Sequence, residues 1–99
     1  MQFDWEPVKA ETNIRKHGVS FDEASSSVLD PWAIIIEDEA HSQSEDRRIA
    51  IGMSIRSRVL FVVHLEEDEQ SVRIISARKA TAKERRDYEE NRKQQSRGN

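Results

Sequence analysis

Cysteine is absent from the 99 residues, which removes disulfide frameworks, thiolate zinc sites and thiol nucleophiles together and suits a reducing compartment. Glycine is scarce as well. Gly18, Gly52 and Gly98 stand alone, so there is no glycine-rich loop of the P-loop or Rossmann kind to cradle a nucleotide phosphate. The longest apolar runs, Ala33 to Ile36 and Val59 to Val63, fall far short of the roughly 20 residues a spanning helix needs. Met1-Gln2-Phe3-Asp4-Trp5-Glu6 lacks the basic-then-apolar pattern of a signal peptide. The expectation is a cytoplasmic protein without membrane attachment. His17, His41 and His64 are far apart with no His-x-x-x-His pairing, so neither a metal nor a cofactor is expected.

What is plentiful is charge. Charged residues make up 35% of the chain, as many as the hydrophobic ones, so the surface is densely charged and each large apolar side chain is needed for packing. A single domain spanning 1–99 with one modest core follows. The net charge of −3 is unevenly placed: from Ser71 onward 9 Lys or Arg face 4 Asp or Glu, whereas the first 70 residues carry 7 against 15. A basic last third can bind a phosphate backbone while the acidic remainder weakens nonspecific nucleic-acid binding; the plainer reading is a solvated, charged terminal helix.

Phe3 and Trp5 alternate with Asp4 as in a short strand. Pro7 at a first turn and Gly18 as a left-handed cap bound a helix over 7–17. On it Ala10, Ile14 and His17 recur at helical spacing beside a polar stripe of Lys9, Asn13 and Lys16. Ser20 and Glu23 have capping-box spacing for a second helix from Phe21 to Leu29, ended by Asp30-Pro31. Four strands follow, Trp32 to Glu37, Arg47 to Met53, Val59 to Leu65 and Val72 to Arg78, spaced for successive antiparallel hairpins. The uninterrupted Val-Leu-Phe-Val-Val of Val59 to Val63 predicts a central strand. Thr81 and Glu84 spell a second capping box for a helix to about Gln95, whose apolar residues are Ala82 and Tyr88 alone. So polar a helix is either loosely docked or completed by a partner. Ser96 to Asn99 form a tail expected to fray. The order predicts an α+β fold, two N-terminal helices on an antiparallel sheet and a C-terminal helix.

Cutting RNA without a metal takes a base for the 2′-hydroxyl, an acid for the leaving 5′-oxygen and cations for the transition-state phosphate. His17, at a helix C-terminus where the dipole favours the imidazolium, can act as acid or base; the structural alternative is a residue packed beside Ile14. Arg47 and Arg73 near strand starts, and Arg78 with Lys79 just ahead of the helix N-terminus at Thr81, are phosphate-binding candidates, or else strand-end charges paired to carboxylates. Tyr88 reads foremost as an anchor of the last helix, and Trp5 and Trp32 as core.

Phe3-x-Trp5-Glu6-x-x-Lys9-x-x-x-Asn13-x-x-Lys16-His17-Gly18-Val19-x-Phe21-x-Glu23-Ala24 resembles the opening signature of BrnT toxins, and Arg73-Ile74-Ile75-Ser76-Ala77-Arg78-x-Ala80 with Glu84 and Tyr88 resembles their closing one. Asp30-Pro31, Arg47 and Gly52 stand between them in the family's order, while Glu6 replaces a frequent Asp and Asp46 a usual Glu. The resemblance implies a RelE-like fold and an endoribonuclease toxin of a bacterial type II toxin–antitoxin pair that cleaves RNA and halts translation. It also implies neutralisation by a BrnA-like antitoxin, with operator DNA met only indirectly through that antitoxin. The expected catalytic group is His17, Lys16, Arg47, Arg73 and Arg78, with Lys9, Asn13, Lys79 and Tyr88 binding substrate. The acidic total favours the rival reading, a nonenzymatic module acting within an antitoxin–DNA regulatory complex.

Overall fold

In a computed structural model residues 1–38 and 46–97 are described; His41 and the Gly98-Asn99 end of the tail lie outside them. The elements run β1 (Gln2–Asp4), α1 (Pro7–His17), α2 (Phe21–Val28), β2 (Ile34–Glu37), β3 (Arg47–Met53), β4 (Val59–Glu66), β5 (Ser71–Lys79) and α3 (Ala82–Arg97). The sheet order is β1-β5-β4-β3-β2, which puts the unbroken apolar strand β4 at its centre. Strands β2 to β5 pair antiparallel, and β1 joins β5 in parallel, Gln2 to Asp4 opposite Ser71 to Arg73. The α+β arrangement expected from the sequence is the one present.

Strand alternation separates two cores. On one face, here the front, Ala50, Leu60, Val62, Val72, Ile74 and Ala77 meet Val19, Phe21 and Ala24 of the α1–α2 unit, with Phe3, Trp5, Ala10 and Val28 around them. Trp5 packs edge-on to Phe21, ring centroids 6.0 Å apart. On the back face Ile51 and Val59 meet Ala80 and Tyr88, flanked by Trp32, Ile34, Met53 and Phe61. Both tryptophans are thus packing residues, as their apolar context predicts.

The local devices work as chemistry requires. Gly18 ends α1 at φ +67°, its N–H donating to the Ile14 carbonyl at 2.8 Å. Gly52 allows α2 to approach the sheet: a Cβ there would lie 2.4 Å from the Ser27 carbonyl oxygen. The Ser20 hydroxyl accepts from the Glu23 N–H at 3.1 Å, but the Glu23 carboxylate does not close the box. It is buried and holds the β3–β4 turn, accepting from the Ser54 hydroxyl at 2.7 Å and from the Arg58 guanidinium. That hydrogen bond to Arg58 keeps Glu23 below the ordinary carboxylate range despite burial. The second box closes fully, Thr81 N–H to Glu84 at 2.8 Å and Glu84 N–H to the Thr81 hydroxyl at 3.2 Å.

One strand boundary differs from the expected one, and one helix face is chosen by a polar residue. The strand expected from Trp32 begins at Ile34, because Asp30 folds Trp32 and Ala33 into a turn, its carboxylate accepting from Trp32 N–H at 3.0 Å and its carbonyl from Ala33 N–H at 3.0 Å. On α1 the inward line is Ala10 and Asn13, whereas Ile14 and His17 are exposed. The cause is the sheet edge: β1 pairs only with the first three residues of β5, and beyond Arg73 the backbone of β5 needs partners an aliphatic side chain cannot supply. Asn13 supplies them. Its amide donates to the Ala77 carbonyl at 2.8 Å and accepts from the Ala77 N–H at 3.1 Å, as a neighbouring strand would.

Candidate active site

The free edge of β5 is where four of the nine candidate residues, Lys9, Asn13, Lys16 and His17, gather. Against it α1 forms a cleft of about 290 Å³, lined by Lys9, Thr12, Asn13, Lys16 and His17 on the helix side and by Ile75 and Ser76 on the strand side. The helix spacings put these side chains on one flank: Lys9, Asn13 and Lys16 follow at steps of four and three, with His17 four beyond Asn13. Lys9, Lys16 and His17 are exposed at the rim. Asn13, buried at the floor, spends its amide on Ala77 and on the Val19 carbonyl, 2.9 Å away. It therefore locks α1, the α1–α2 turn and β5 together beneath the cations.

The arginines lie on the other side of the same strand. A five-residue spacing would ordinarily turn Arg73 and Arg78 to opposite faces. A β-bulge prevents this: Val63 faces Ser76 while His64 faces Ile74, so Ile75 is the extra residue, and Arg73, Ser76 and Arg78 all sit on the back face opposite Leu65, Val63 and Phe61. Arg47 faces Leu65 from β3, so Arg47 and Arg73 flank one leucine in a single row, about 10 Å apart by strand spacing. Arg78 stands about 13 Å further along, four residues of β4 away. Ile75 and Ser76, between the two β5 arginines, also line the α1 cleft. Seven of the nine sequence candidates thus fall into two groups, one on each side of β5, while Lys79 and Tyr88 belong to neither.

Each back-face cation whose partner is defined meets a carboxylate. Arg73 pairs with Asp4 of β1 at 3.2 Å, half-exposed. Arg78 makes two bonds to Glu84, at 2.9 and 3.1 Å, and its guanidinium lies 3.9 Å from the centroid of the Phe61 ring. That pairing holds Glu84 below the usual carboxylate range. A planar, pre-oriented guanidinium over a ring suits phosphate chemistry, and Glu84 occupies it at present. Lys79 is exposed at the end of β5 and its carbonyl accepts from Arg78 at 3.1 Å.

Tyr88 is fully buried and far from the cleft residues in role. Its hydroxyl donates to Asp30, and burial, followed by that bond and the Asp30 charge, pushes its pKa up to about 12. That bond ties α3 to Asp30. Asp30 also accepts from the Met53 N–H at 2.7 Å, and so joins α2, the turn before β2, β3 and α3. Neither this junction nor the Glu23–Arg58 pair is legible in the sequence, where the partners stand 58 and 35 positions apart. Among the described residues no group of three His, Asp or Glu is placed to hold a metal, and no helix is long and apolar enough to cross a membrane.

Residues 5–84 match the family model for the ribonuclease toxin, BrnT, of type II toxin–antitoxin systems. The chain belongs to the BrnT toxin family. The 1.1 Å crystal structure of the Brucella abortus ribonuclease toxin BrnT is similar to it in fold, with a TM-score of 0.65 and 26% identity over 82% of this chain and 97% of that one. Among curated proteins no significant match is found. As a BrnT toxin the chain has RNA as its target and an antitoxin as its partner. The two signatures that resemble the family's are those that build the α1 cleft and the bulged strand beside it.

Proposed function

We propose that the chain is a metal-independent endoribonuclease that halts translation, with its chemistry at the edge strand β5. The observation that carries this reading is the joint placement of Lys9, Lys16 and His17 in one cleft against Ile75 and Ser76. In the proposed reaction a base, assigned to His17, removes the 2′-hydroxyl proton; the alkoxide attacks phosphorus, and the 5′-oxygen leaves with a proton from an acid. The products are a 2′,3′-cyclic phosphate and a 5′-hydroxyl. Lys16 and Lys9 offset the charge on the phosphate, and Arg73, Arg78 and Arg47, with Lys79, hold the strand beyond it. Asn13 acts through β5 as a positioning residue. Tyr88, whose hydroxyl serves Asp30, is assigned to α3 and not to substrate.

The antitoxin is proposed to be BrnA-like, so that operator DNA is met only through it, and the site of action is cytoplasmic. Induced alone in a bacterial host, the chain should arrest growth and translation, and its antitoxin should restore both. Soluble, folded protein that leaves growth unaffected counts against the toxin reading. The engagement of Arg73 by Asp4 and of Arg78 by Glu84 favours, as a second reading, a nonenzymatic module. Purified protein that leaves RNA intact yet binds its antitoxin would establish that alternative.

A further inference from the structure

Away from β5, two adjoining cavities of about 420 and 410 Å³ run beside α3 and share Met53, Tyr88 and Arg92. They form one groove between α3, the end of α2 and the β3–β4 turn. Its apolar side is exposed to an extent that packing does not explain: Leu29 is 57% and Ile55 80% exposed. Its α3 side carries Arg92 and Lys93 against one carboxylate, Glu89. Arg56, next to Ile55, is exposed and lies 3.9 Å from the buried Glu23 carboxylate. The other acid of the groove, Asp30, is already committed to Trp32, Met53 and Tyr88. The groove therefore presents aliphatic side chains with the exposed cations Arg92 and Lys93 at the rim, the part-buried Asp30 lying deeper. α3 is itself so polar that it is tied down through hydrogen bonds, Tyr88 to Asp30 and Asn91 to the Trp32 carbonyl at 3.3 Å, in place of an apolar stripe.

We infer that this groove is the docking surface for the antitoxin, which fills it with a segment that is apolar on one side and bears carboxylates opposite Arg92 and Lys93. The inference rests on the family's toxin–antitoxin pairing and adds where on this chain the partner sits. Charge complementarity to Arg92 and Lys93 calls for an anionic partner, and the exposed Leu29 and Ile55 select an acidic protein segment over RNA, whose phosphates would gain the cations but leave both side chains in water. None of the groove's lining residues lines the α1 cleft.

The test uses the full chain and, as probe, the protein encoded by the reading frame adjacent to its own, with affinity read by calorimetry. Leu29→Glu and Ile55→Glu change exposed side chains and should keep the melting temperature, while weakening binding about 30-fold or more, the effect of losing an anchor residue. Lys93→Glu should weaken it about tenfold at low salt and less at high salt. Ile14→Glu, on exposed α1, is the control and should bind as the native chain does. Native chain that binds the probe while both groove variants bind equally well overturns the groove and leaves the antitoxin reading intact. Native chain that does not bind the probe overturns both. A native chain that is dimeric alone, with monomeric groove variants, or groove variants that lose RNA binding but keep the probe, would give the surface to another occupant and refute the inference.

Discussion

Replacing Tyr88 by Phe removes one oxygen and leaves the ring among Ile51, Val59 and Ala80. The lost bond is charge-assisted, a class that contributes about 1.5–3 kcal/mol. Asp30 keeps the N–H groups of Trp32 and Met53, so the lower part of that range applies, about 1.5–2 kcal/mol. For a domain of this size each kcal/mol moves the melting temperature by about 4–8 °C, so circular dichroism should show a fall of about 6–16 °C. The pH dependence gives a second reading of the same bond. Tyr88 is raised from 10.0 to about 12, so the folded state retains a proton that the unfolded state releases; this contribution is complete below pH 10 and is lost as pH rises through about 12. The Phe variant should lack that alkaline loss. RNA cleavage per folded molecule, measured well below the melting temperature, should be unchanged. A variant that melts like the native chain but cleaves poorly would refute the anchoring role and return Tyr88 to the substrate.

Gly52→Ala should destabilise by about 1–3 kcal/mol, because the new methyl meets the Ser27 carbonyl of α2, a backbone atom that moves only with its helix; an unchanged urea midpoint would contradict this close approach. His64 is buried with its Nδ1 unpartnered, and burial lowers its pKa from 6.5, against smaller opposing effects of the Val62 backbone and Glu66. The unfolded state then takes up the proton first, so stability is full above pH 6.5 and falls below it, and His64→Leu should flatten that slope in urea titrations. If Arg73 and Arg78 bind phosphate, each neutral replacement should reduce the salt slope of RNA binding by about 0.7, and Glu84→Gln, which keeps the helix cap but frees Arg78, should tighten binding; an unchanged slope in all three variants makes the arginines structural.

The sequence carries those features that depend on neighbours in the chain. Gly18 as the stop of α1, Thr81 with Glu84 as the start of α3 and the unbroken run of β4 as a sheet centre are local patterns with local causes, and the structure has all three. The face that α1 turns inward was not legible, because Asn13 is drawn in by an unpaired strand edge formed some sixty residues later. Likewise the placement of Arg73 and Arg78 on one face depends on the bulge at Ile75, which no residue type marks: regular alternation puts them on opposite faces. The parallel pairing of β1 was hidden for the same reason, since a three-residue strand carries no sign of its direction. The candidate residues were nameable from family signatures and charge, but their division into a cleft group and a back-face group is a property of the sheet.

The proposed chemistry places RNA cleavage in the cleft beside β5, with His17 as its proton-transfer group. The most direct test is turnover of RNA by purified native chain and by His17→Ala in EDTA, with the melting temperature of each taken on the same preparation. Exposure of His17 predicts little change in melting temperature, and its assigned proton transfer predicts a loss of turnover of about 10²- to 10⁴-fold. A variant that cleaves as fast as the native chain, whatever its melting temperature, would contradict the account.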